Sequence, residues 1–421
     1  MDANFNSFLP TSNQNFIPSI PLAPSRVMGE YNEMLGRIKE VAKELEGLNH
    51  LEEQSLIDQH ISSLLGLDID QYRKNPRNYR VYHGHLADLA GVVTDTPPSC
   101  EADASGLVSC QFVQGINLSG WNTADFLPLR ISYLFWLTMS LVNEEISKRK
   151  LPKFSYQFTN TQRTELIQRC AKEICVELET LRVARLVAKL EKHYASAIKE
   201  AIAMEEEDPD ELINLLQKIR NVLDFSTNKM LRIIQGLEPE EEVSYSSGSI
   251  NHCVYVSFRR VSNHVLIRVD NAGLWSEDNS YHLPAVIGGI SGIYPSCIAT
   301  VNFTSIEQNP EPLKKYLSDI LIASLLPADK AKDMIYNLNL VKAYQYGETE
   351  EFSTSRLLEL SKQFTPKVQQ TVGNCVVASH NIGMEIRINQ NSEVAEQEPF
   401  TWIKRQETRT SATADPQIGI I

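Results

Sequence analysis

The feature that most constrains this chain is a change of hydrophobic period at the acidic segment Gly236-Leu237-Glu238-Pro239-Glu240-Glu241-Glu242. Before it, apolar residues recur at intervals of three and four; after it, they alternate. Leu212, Leu215, Leu216, Ile219, Val222 and Leu223 outline one helix with a buried face, and Ile167, Cys170, Ile174, Leu178 and Leu181 outline another. Glu205 to Asp210 separates the two as an acidic turn, where Pro209 stops one helix from running into the next. The most apolar stretch, Ile131 to Val142, falls short of the roughly 20 residues of a membrane span and reads as a buried helix. From about residue 243, β-branched and aromatic residues alternate, as strands require. The expected order is a flexible arm over 1–27, a helical recognition or regulatory domain over 28–236, an α+β domain over 243–395 and a polar tail over 396–421.

Composition narrows the class. A chain of 421 residues with 42% hydrophobic content is long enough for two or three proper cores. Lys plus Arg is 40 and Asp plus Glu 53, a formal charge of −13. That balance argues against a general nucleic-acid binder and against adhesion to anionic lipid, and suits a partner with a basic face. Seven cysteines at scattered positions, without a Cys-x-x-Cys pair, do not form a disulfide framework, and the nine histidines lack zinc-ligand spacing. The expected chemistry uses no metal and no cofactor, in a soluble protein of a reducing compartment. Residues 1–26 have neither a cationic start nor a continuous apolar run, so no secretory leader is expected there. Val93 to Cys110, with Pro97-Pro98 and little periodicity, reads as an exposed loop.

The chemistry concentrates in the second half. Gln369-Gln370-Thr371-Val372-Gly373-Asn374-Cys375-Val376-Val377-Ala378 passes from a polar turn into an apolar helical stretch. Asn374 is a good helix N-cap, which sets Cys375 on the first turn among unpaired N–H groups, a position that favours a thiolate. Gln369 or Gln370, five or six residues upstream, could donate a side-chain N–H to an oxyanion. Earlier in the chain, Asn251 to Phe258 reads as a strand, Arg259 to Asn263 as a five-residue link and His264 to Asp270 as the returning strand. If Phe258 faces His264, opposed numbers sum to 522 and His252 lies opposite Asp270. Directly opposed residues hold their Cβ atoms roughly 4.5–5.5 Å apart, close enough for a carboxylate to hold one imidazole nitrogen and leave the other as a base. Singly, each residue has a plainer role: a buried thiol, a strand histidine, a turn-forming aspartate. Together they favour a catalytic constellation.

The order His252, Asp270, then a glutamine shortly before Cys375 resembles the Ulp/SENP-type cysteine proteases over roughly residues 243–395. Those enzymes remove ubiquitin or ubiquitin-like modifiers from target proteins, and relatives occur among effectors injected by intracellular bacteria. The resemblance implies a Ulp-like fold, a mixed sheet with packed helices. It makes Cys375 the nucleophile, His252 the base, Asp270 its orienting acid and Gln369 the oxyanion donor, with Gln370 close enough to compete. It further implies ubiquitin or a ubiquitin-like protein and its conjugates as partners, and delivery from a bacterium into host cytosol. Two frames depart from the family: Cys253 follows the histidine where a Trp is usual, and Asn374-Cys375-Val376 replaces Asp-Cys-Gly. In the family those residues shape the channel for a Gly-Gly tail. The end of the chain, with Glu393, Glu396 and Glu398, resembles a C-terminal secretion signal. An acyltransferase of the same His-acid-Cys order, or a non-catalytic interaction protein on a protease fold, are the alternatives.

Overall fold

Helix-capping chemistry sets the first elements of the chain. The structure is a computed structural model that describes residues 26–75, 122–145, 159–203, 209–287, 289–336, 354–369 and 375–389. Helices α1 (Arg26–Glu44), α2 (His50–Leu65), α3 (Ile69–Lys74), α4 (Thr123–Val142), α5 (Asn160–Ala203) and α6 (Pro209–Gln235) come first. Asn49 and Glu52 form a reciprocal capping box at the start of α2, and Asn122 and Asp125 form another at α4. Helix α6 begins on Pro209, whose missing N–H costs nothing at a first helical position. Helix α4 is buried along nearly its whole length, as its composition predicts. Among the described residues, no helix is long and apolar enough to cross a membrane. The expected arm before Arg26, the loop over 93–110, Gln370, Asn374 and the tail over 396–421 lie outside the described residues.

Strands begin at the period change. β1 (Glu242–Ser249), β2 (His252–Val261), β3 (His264–Asp270) and β6 (Ser296–Asn302) form a sheet in the order β1-β2-β3-β6. β4 (Pro284–Ile287), β5 (Ile290–Ile293) and β7 (Lys367–Val368) form a smaller one in the order β4-β5-β7. Every pairing is antiparallel, which corrects the expected mixed sheet. Short hairpins dictate that sense for β1-β2, β2-β3 and β4-β5, whereas β3-β6 and β5-β7 take it across long connections.

The link between β2 and β3 is also shorter than expected. β2 continues to Val261, which faces His264 across the two-residue turn Ser262-Asn263. Ser262 takes the positive φ of 53° that such a hairpin turn demands. Tyr255 therefore faces Asp270, opposed numbers sum to 525, and the expected sum of 522 is corrected.

The remaining helices among the described residues are α7 (Phe303–Gln308), α8 (Glu311–Ala323), α9 (Ala328–Ile335), α10 (Thr354–Ser361) and α11 (Cys375–Asn389). The apolar cores cross the expected 236–243 boundary. Val376, Val377 and Met384 of α11 pack into one core with α1, α2, α4 and α5. Val183 and Val187 of α5 and Met230, Leu231 and Ile234 of α6 join a second core with one face of the large sheet and with α8 and α9. Nonpolar burial of this kind, worth roughly 25 cal/mol per Å², binds the helical half to the sheet.

Candidate active site

Cys375 is the first residue of α11, and its thiol is half-buried. The Cys253 backbone N–H donates to Sγ of Cys375 at 3.3 Å. That N–H is free to do so because the ladder between β2 and β3 ends at Tyr255 and Asp270. His252 is the residue before Cys253, so one peptide bond separates it from the N–H that touches the thiol. Among the described residues, no hydrogen bond joins the His252 ring to Cys375. Gly248, at a φ of +148°, lets β1 come close here: a Cβ on it would lie 1.9 Å from the His252 carbonyl oxygen.

The residue that holds His252 is Asn271, not Asp270. His252 Nε2 lies 3.1 Å from Asn271 Oδ1. Strand parity explains the correction. Even-numbered residues of β2 (Val254, Val256, Phe258) and odd-numbered residues of β3 (Val265, Ile267, Val269) line the core shared with α6 and α8. His252 and Asn271 continue those two rows. Asp270 points to the other face, where Arg268 donates to it from Nε at 2.6 Å and Nη2 at 3.1 Å, and Ser257 donates from its hydroxyl. A continuation of β2 through the Ser262-Asn263 turn signal was the clue that would have placed Asn271 beside His252.

The orientation of the Asn271 amide follows from main-chain partners. Asn271 Nδ2 donates to the Leu274 carbonyl at 2.7 Å, and Oδ1 accepts from the Gly273 N–H at 3.0 Å. Oδ1 is thus an acceptor, so His252 Nε2 must be the donor and the lone pair sits on Nδ1. The Trp275 ring packs edge-on against His252 with centroids 5.1 Å apart. Burial pushes the His252 pKa down to about 4, against the smaller opposing pull of Asn271 and the Leu274 carbonyl. The imidazole is neutral near pH 7.

The thiol differs from its expected state. Burial raises the Cys375 pKa by more than the backbone N–H groups of Cys253, Val376 and Cys375 itself lower it. Resting Cys375 is a thiol, and its activation needs a base. Gln369 donates from Nε2 to Ser276 at 3.2 Å and accepts from Ser291 at 3.1 Å, so its amide ties the 271–276 turn to the small sheet. Comparison with known proteins returns no match: no family model, no curated protein and no solved structure is similar to this chain.

Proposed function

We propose that the chain is a cysteine hydrolase in which Cys375 is the nucleophile, His252 the base and Asn271 the residue that orients it. The observation that carries this reading is the convergence of β2, the end of β3 and the start of α11. There the thiol rests on the Cys253 N–H, next in the chain to a histidine whose Nε2 proton is held by Asn271. The lone pair on His252 Nδ1 accepts the thiol proton as Sγ bonds to a substrate carbonyl carbon. The Cys375 N–H supports the oxyanion, and Gln369, held by Ser276 and Ser291, is the candidate for a second donor. The imidazolium then protonates the leaving amine, and a water deprotonated by the same nitrogen hydrolyses the thioester. The His252 ring lies on the Asn271 face of the sheet and α11 packs on the Asp270 face, so the reading requires the ring to close a gap around the start of β2 before it reaches Sγ.

The sequence order supports peptide or isopeptide bonds as the substrate class, with conjugates of ubiquitin or a ubiquitin-like modifier first among them. Delivery by a bacterium into host cytosol belongs to the same proposal. A second reading, a non-catalytic binding protein, draws on the raised Cys375 pKa and on that same gap. Ubiquitin and ubiquitin-like probes bearing a C-terminal electrophile separate the two. The expected result is a covalent adduct with the wild type and none with Cys375→Ala, whose fold is unchanged. Labelling that persists in Cys375→Ala, or hydrolysis undiminished in it, sinks the hydrolase reading.

A further inference from the structure

The hydrogen-bond chain that ends on His252 does not start at Asn271. Asn271 Nδ2 also donates to the Tyr336 hydroxyl at 3.1 Å. That hydroxyl lies 2.8 Å from His282 Nε2, and His282 Nδ1 lies 3.1 Å from the Tyr294 carbonyl oxygen. A carbonyl oxygen only accepts, so the His282 proton belongs on Nδ1 and Nε2 is an acceptor. Tyr336 must donate to Nε2, and its oxygen then accepts from Asn271 Nδ2. Oδ1 of Asn271 remains as the acceptor for His252 Nε2–H. Read from the Tyr294 carbonyl, each link has one direction.

We propose that Tyr336 and His282 are positioning residues that hold His252 in the tautomer with its lone pair on Nδ1, the nitrogen on which the hydrolase reading above rests. The Leu274 carbonyl also takes an Asn271 amide proton and the Gly273 N–H donates to Oδ1, so this turn, on which Leu274 is 51% exposed, and the buried Tyr336 link fix the amide jointly. Tyr336 is buried at 2% exposure and His282 at 0%. The Tyr336 ring is held by Tyr281, at 4.5 Å between centroids, and by Trp275, at 6.4 Å. Trp275 touches His252 on its other side, so the same rings fix the imidazole plane and its proton. Burial keeps His282 neutral, down to about 4, as its acceptor role requires.

The test uses the full chain labelled with 15N-histidine, read by long-range proton–nitrogen correlation at pH 7.5, with His252 assigned by its loss in His252→Gln. Wild type is expected to show a pyrrole-type Nε2 and a pyridine-type Nδ1. Tyr336→Phe keeps the ring and its packing but removes the link, and should populate the Nδ1–H tautomer. Its kcat on a Cys375-dependent substrate should fall about tenfold with KM little changed, the mark of misplaced catalytic groups rather than lost binding. His282→Gln, which retains an oxygen acceptor for the phenol, should keep the wild-type pattern where His282→Leu loses it. A wild-type His252 protonated on Nδ1, or a Tyr336→Phe protein with unchanged tautomer and kcat, overturns the proposal. The spectra need no turnover, so a chain without Cys375-dependent hydrolysis defeats the hydrolase reading and leaves the tautomer result to be judged separately.

Discussion

Asn271 and Asp270 are neighbours at the end of β3, yet they serve opposite faces of the sheet. Asn271 touches His252, the proposed base; Asp270 pairs with buried Arg268. Substituting each therefore breaks something different. Asn271→Ala should lower kcat on the order of 10²-fold through loss of the tautomer, with thermal stability changed modestly. Asp270→Asn should cost about 2–4 kcal/mol of stability, because Arg268 is left under-compensated in the interior. Its kcat per folded molecule should stay near wild type. Thermal unfolding and single-turnover kinetics on both variants check this, and the reverse pattern would return the orienting role to Asp270. The placement of Cys375 at a helix start and of His252 at a strand start was legible in the sequence, because a polar-to-apolar switch and a β-branched run mark them locally. The orienting residue was not, since its face depends on where β2 ends, and a slip of one residue exchanges the faces of the sheet.

At the scale of one element, α11 carries Cys375 at its first residue and an ion cluster about three turns further on. Arg387 on this helix is bidentate to Glu173 of α5, with Nη2 at 2.7 Å and Nε at 2.8 Å, and Nη1 reaches Glu242 of β1 at 3.4 Å. Gly383 permits this approach: a Cβ there would lie 2.8 Å from Asp270 Oδ2, 3.1 Å from Arg387 Nη1 and 3.3 Å from Ser244 Oγ. Gly383→Ala gains about 1 kcal/mol of helix propensity. Overpacking against atoms that their ion pairs hold in place costs more, about 1–3 kcal/mol. The net expectation is a loss of up to about 2 kcal/mol, read as a lower urea midpoint at unchanged slope. A midpoint equal to or above wild type would show that the cluster gives way. The start of α11 could be seen in the sequence. The need for glycine at 383 could not, because it arises from side chains brought in by β1 and β3.

At the scale of the whole molecule, the period change correctly located the first strand but divided elements that share cores. The 44-residue helix α5 belongs to both sides, and local periodicity carries no record of which partner covers each face. Charge binds the halves as well. Glu173 and Glu177 of α5, Glu242 of β1 and Asp270 of β3 are buried with Arg268 of β3 and Arg387 of α11, and Arg130 of α4 acts on Glu177. His380 Nε2 of α11 lies 2.6 Å from Glu177 Oε1, and burial holds this imidazole neutral by pushing its pKa well down. Four carboxyls crowd this space, and the charge of Glu177 favours the protonated form of Glu173. Burial first, and then that neighbour, raise Glu173 to about 7 against the pull of Arg387. A carboxyl whose folded pKa exceeds its unfolded value of about 4.5 contributes stability that is whole below pH 4.5 and is lost as pH rises to 7. Buried His252 and His282, both pushed down to about 4, have the opposite sign: their contribution is lost as pH falls from 6.5 toward 4. The difference between wild type and Glu173→Gln cancels those histidines and isolates the carboxyl pair, which titrates jointly. The stability advantage of wild type over Glu173→Gln should shrink by up to about 1.4 kcal/mol per pH unit between pH 4.5 and 7, and level off above. Denaturant melts at half-unit pH steps measure it. An advantage that stays flat or grows across that window would mean that Arg387 of α11 keeps Glu173 of α5 ionised throughout.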